Sequence, residues 1–98
     1  MIELDRQKKP KGLRRRRMCF GRHVVADPEI CHGKITFAGT RIFVADVLEM
    51  VAMNMDWNAI IKECHGNITR EAISEAVLLA ARAFLDHASD YALECVPQ

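Results

Sequence analysis

Between Val44 and Leu85 the apolar residues recur at helical spacing, and the recurrence breaks only twice. Val44, Val47, Leu48, Val51 and Met55 sit at i, i+3, i+4, i+7 and i+11, one face of a helix over about Ala45–Met53. Asn54 suits a left-handed helix end. Asp56 is an N-cap for a second helix from Trp57 to about Cys64, with Ile60, Ile61 and Cys64 inward. After the turn His65-Gly66-Asn67, Thr69 caps a third helix reaching about His87. Ile68 and Ile73 there have the spacing of a hydrophobic staple. Ile73, Val77, Ala80, Ala81, Phe84 and Leu85 make its expected apolar stripe, and its many alanines favour helix intrinsically. Ahead of the helices the period is two. Lys34–Ala38 alternates polar and apolar, and Val24-Val25 favours a strand that Asp27-Pro28 ends. The pattern therefore predicts a mainly α protein: a small N-terminal β-hairpin or ribbon, then a three-helix, helix–turn–helix-like bundle.

Length excludes much else. A chain of 98 residues is one domain with a small core, and a β/α barrel would need about 250. Aromatic residues are only 6%, so that core must be mostly aliphatic. No window approaches the run of about 20 apolar residues that a membrane span needs. The basic start is not followed by a signal-peptide pattern, so the expected compartment is the cytoplasm. Cys19, Cys31, Cys64 and Cys95 then read as reduced thiols.

The net charge of +1 hides a split. Eight basic residues against Glu3 and Asp5 give residues 1–17 a charge of +6. The remaining 81 residues hold six basic and eleven acidic groups, giving −5. The organisation expected is a flexible basic arm over residues 1–22, a folded domain over 23–88 and a loose tail over 89–98.

Several residues are candidates for contact. Arg14, Arg15, Arg16 and Arg17 could neutralise phosphates. Arg41, after Gly39-Thr40, could clamp Asp27 or Asp46, or meet a phosphate. On the third helix Arg70 and Arg82 face outward with Glu71, Ser74, Glu75 and Leu78, and two glutamates in that set oppose groove reading. The bland alternative is a helix that packs in a dimer or on a partner. Leu78, Leu79, Phe84 and Leu85 leave that helix apolar on more than one side, which suggests such an interface. The two Cys-His dipeptides, Cys31-His32 and Cys64-His65, lack C-x2-C spacing, so neither metal nor cofactor is expected. No phosphate loop, H-E-x-x-H or G-x-S-x-G occurs, and no enzyme is expected.

Some stretches say more than their periods. His23-Val24-Val25-Ala26-Asp27-Pro28 through Gly33-Lys34-Ile35, then Ala38-Gly39-Thr40-Arg41-Ile42-Phe43-Val44, and later Asn67-Ile68-Thr69-Arg70-Glu71-Ala72-Ile73, resemble the domain-of-unknown-function 433 family. The likeness runs from about His23 to Leu85, with Gly-Thr-Arg-Ile its most specific step. It departs at Ile35 and Phe43, where the family usually has Pro, at Asn54, where it has Gly, and at Gly66, where a Pro is common. The resemblance implies a homeodomain-like helix–turn–helix protein and the role of an antitoxin that silences a PIN-like ribonuclease toxin. It also implies binding of operator DNA, and the apolar surplus on the third helix suggests that the chain does so as a homodimer. A stand-alone transcriptional regulator, or a homo-oligomeric interaction module that binds no DNA, is the alternative.

Overall fold

The computed structural model describes residues 16–93. Three short strands come first: β1 (Met18–Cys19), β2 (Val24–Ala26) and β3 (Ile35–Phe37). They form one antiparallel sheet in the order β1-β2-β3. Three helices follow: α1 (Val44–Ala52), α2 (Trp57–Glu63) and α3 (Arg70–Asp86).

The expected hairpin is β2–β3, paired Val24 to Phe37, Val25 to Thr36 and Ala26 to Ile35. Asp-Pro ends β2 as expected: the Asp27 carboxylate accepts from the Glu29 amide at 2.9 Å, a side-chain turn that leaves the ladder. The connection to β3 passes through Cys31, His32 and Gly33, all at positive φ (51°, 59° and 82°). Such consecutive left-handed residues are sterically unfavourable outside glycine.

β1 departs from the sequence reading. The arm was expected to run to residue 22, yet Met18 pairs with Ala26 and Cys19 with Val25. Two exposed residues behind a run of arginines show no alternation, and their pairing partner supplies the order.

The helix boundaries follow their caps. Asp56 accepts from the Asn58 amide at 3.1 Å, and Thr69 from the Ala72 amide at 3.1 Å. Asn54 takes φ 68° after α1, the left-handed end anticipated there. Ile68 and Ile73, the two ends of the staple, are both buried.

One aliphatic core joins these elements. Val24 and Phe37 enter from the sheet, Val44 and Val47 from α1, and Ile60 and Cys64 from α2 with its end. Ala72, Ile73 and Ala76 come from α3. The stripe expected on α3 is covered only in part. Ile73 is buried and Val77 half-buried, but Ala80, Ala81, Phe84 and Leu85 are exposed. Sequence period gives the side of a helix that is apolar, not the width of the body that covers it. Beyond α3 the expected loose tail begins with a 3-10 turn, Ala88–Tyr91, whose Tyr91 ring lies 5.6 Å from that of Phe84.

Both faces of the sheet are covered. Val24 and Phe37 face the main core, while Val25 and Thr36 alternate to the other side and are also buried. The Thr36 hydroxyl makes no hydrogen bond there. A buried hydroxyl without a partner costs more than a methyl of the same shape. Thr36→Val is therefore expected to stabilise the domain by about 1 kcal/mol, read as a higher urea midpoint at unchanged slope.

Candidate nucleic-acid and partner interfaces

The arm meets the body at the sheet edge. Arg16 and Arg17 are exposed and lead directly into β1. Arg14 and Arg15 lie outside the described residues.

The turn after β1 is fixed by the third helix. Glu75, half-buried on α3, accepts hydrogen bonds from the Arg22 amide at 2.9 Å and the His23 amide at 2.6 Å. A Cβ at Gly21 would collide with that carboxylate, so glycine is what lets it sit against the two amides. Partial burial alone would raise the Glu75 carboxyl. The two amides, aided by the charges of His23 and Arg22, outweigh burial and hold it below its ordinary value. Sequence reading placed Glu75 among outward residues opposing DNA. Acceptance from backbone amides more than fifty residues away leaves no side-chain motif that could have shown otherwise.

Gly39-Thr40-Arg41 is a turn whose first two residues are structural. Gly39 takes φ 77°, with nothing within 4 Å of an added Cβ, so conformation rather than space requires glycine there. The Thr40 hydroxyl donates to the Phe37 carbonyl at 2.9 Å and accepts from the Ile42 amide at 3.0 Å. Arg41 is exposed and pairs with neither Asp27 nor Asp46. The Asp27 carboxylate already serves the Glu29 amide.

Arg70 has local partners. Its guanidinium donates to the Asn58 side chain at 3.0 Å and stands 5.5 Å from the centre of the Trp57 ring. It thus ties the start of α3 to the start of α2 across the helix–turn–helix. Arg82 lies twelve residues further on, roughly 18 Å along the axis and about a third of a turn round. The two arginines do not share one groove-reading edge, and Arg41 belongs to a different element again.

The apolar candidates divide similarly. Leu78, Phe84 and Leu85 are 62%, 52% and 72% exposed, more than a solvent-facing helix needs, while Leu79 is half-buried. Leu79 and Arg82 line an open apolar groove between α3, the start of α1 and the sheet. Leu78 lies in a second, more polar depression with Phe20, Arg22 and Glu75.

The cysteines do not converge. Cys64 is in the core, where burial, then the charges of Glu63 and Asp46, push its thiol up. Cys31 is half-buried and Cys19 exposed, and among the described residues no group of three or more potential ligands could hold a metal. Among them, too, no helix is long and apolar enough to cross a membrane.

A three-stranded sheet capping a helix–turn–helix, with its polar ties on the third helix, defines a small mainly α domain. The chain belongs to the family described as protein of unknown function (DUF433), whose model matches residues 24–80. No curated protein and no solved structure matches it. The matched span starts at β2 and stops within α3, leaving out β1 and the exposed end of α3.

Two substitutions test the ties. Glu75→Gln should lower stability by about 1 kcal/mol near neutral pH, the scale of a partly exposed charged hydrogen bond. Because folding depresses the Glu75 titration, its contribution is complete above the unfolded value of about 4.3 and fades as pH falls through the lower folded one. The gap between wild type and variant, followed by urea unfolding, should therefore close in acid. Arg70→Ala should cost about 1 kcal/mol. It should also shift the emission of Trp57, the sole tryptophan.

Proposed function

We propose that this chain is an antitoxin-like adaptor that binds and silences a PIN-like ribonuclease and binds operator DNA through its basic arm. It acts by binding rather than by catalysis, and in the cytoplasm. The observation that carries the reading is the charge split combined with the rooting of its basic half. A segment of charge +6 is joined to a body of charge −5 through Arg16 and Arg17, directly ahead of an edge strand. The clamp from Glu75 on Gly21–His23 holds that root against the helical body. Nucleases of the PIN-like kind gather carboxylates around metal, and a basic segment held at a fixed point can lie across them and exclude RNA. The same charges neutralise phosphate on DNA.

The resemblance carried by the Gly39-Thr40-Arg41-Ile42 step and the flanking stretches, which implies an antitoxin role, supports the reading. The helical surface alone is a poor reader of DNA. Arg70 is engaged with Trp57 and Asn58, and Glu71 beside it is exposed.

The test is co-purification with the product of the adjacent open reading frame, followed by inhibition of its ribonuclease activity. Deleting residues 1–17 is expected to raise the inhibition constant roughly tenfold or more and to flatten its dependence on salt. Unchanged inhibition by the truncated chain would remove the arm from the mechanism. Salt-dependent operator binding without any nuclease partner would instead make the chain a stand-alone regulator.

A further inference from the structure

The core-facing side of α3 outruns the body that covers it. Ala72 and Ala76 are buried, and Leu79, Ala80 and Ala83 continue that side at helical spacing. Leu79 is half-buried, while Ala80 and Ala83 are exposed. They line one side of an open groove of about 410 Å³, which reaches the buried Val24 and Val44 and is completed by Ile35 and Leu48. Two groups of opposite fixed charge stand at this groove, Arg82 and Asp86. They are spaced i, i+4, yet form no ion pair with each other. Cation before anion is the weaker order for such a pair on one helix.

We propose that the groove takes the α3 helix of a second copy of this chain, crossing antiparallel about a two-fold axis at the level of residues 83–85. Charge chooses this occupant first. In that crossing Arg82 of each copy lies beside Asp86 of the other, so two ions that do not pair with each other in one chain become two reciprocal pairs. Shape agrees: Ala80 and Ala83 permit the close approach of a helix that presents the same small residues, near the lower end of the 8–10 Å range of interaxial distances. Between Ala76 and Leu85 the only charged residue is Arg82, a composition suited to burial rather than to solvent.

Sedimentation of the full chain at micromolar concentration tests this. Wild type is expected to be a dimer. Arg82→Asp sets two acids against each other at both pairs, and Asp86→Arg sets two bases, so each variant alone should self-associate roughly tenfold or more weakly. An equal mixture of the two should recover dimer, because only the mixed pair restores both contacts. Ala83→Gln, which adds bulk without charge, should also weaken the dimer while helical circular dichroism is retained. A monomeric wild type, or a mixture no better than its components, would overturn the proposal. So would release of a co-purified nuclease by these substitutions from a chain that is monomeric alone, since the groove would then belong to the nuclease. A dimer that inhibits no nuclease leaves the proposal standing and removes only the function proposed above.

Discussion

Every layer of this domain packs on one side of the first ten residues of α3. That helix meets α1, α2 and β2, and Ala72, Ile73 and Ala76 are among its most buried residues. Ile73 is fully enclosed and so are its neighbours Val47, Ile60 and Phe37. A single core in so short a chain has little redundancy. The register of α3 therefore decides whether the sheet and the other helices find a common surface. Thr69 sets that register locally by capping the first turn, and Ile68 with Ile73 fixes the direction from which the chain enters.

Polar groups hold the same stretch on two flanks. Arg70 reaches α2 through Trp57 and Asn58, and Glu75 reaches the turn after β1 through two backbone amides. Both are charged residues on the third helix, the kind that pattern alone assigns to solvent or to DNA. Their use within the fold changes the electrostatic picture of that helix. Glu71, Arg82 and Asp86 remain as its exposed charges, a set too mixed in sign to attract a phosphate backbone strongly. The basic groups best placed to do so precede β1.

The helices, their caps and the β2–β3 pairing were legible because each rests on local chemistry: an Asp or Thr beside the amides it caps, a period of 3.6, a period of two. β1 was not, since two residues cannot display a period and their order comes from β2. The Glu75 clamp was not, because backbone amides are present at every position and the sequence does not mark which ones a carboxylate will find. Arg41 shows the reverse limit. Asp27 and Asp46 are the acids its place in the chain suggests, yet Arg41 is exposed and bonds to neither. Gly39-Thr40 was legible as a special turn but not in its division of labour, with Gly39 supplying the positive φ and Thr40 the bridging hydroxyl.

The length of α3 carries a last consequence. Its 17 residues extend about 26 Å at 1.5 Å per residue, while the body covers it only as far as Leu79, about 15 Å. A helical overhang of this kind gains little from tertiary packing. Alanine propensity and the Phe84–Tyr91 ring contact are what hold it. The family match ends at residue 80, where the cover ends, and begins at Val24, after β1. The shared pattern is thus the self-contained part of the fold: β2, β3, α1, α2 and the covered half of α3. The two segments outside it are the basic run leading into β1 and the exposed end of α3. Since a buried core fixes a fold but an uncovered surface selects what binds it, partner choice in this chain is expected to lie in those flanks rather than in the shared helix–turn–helix.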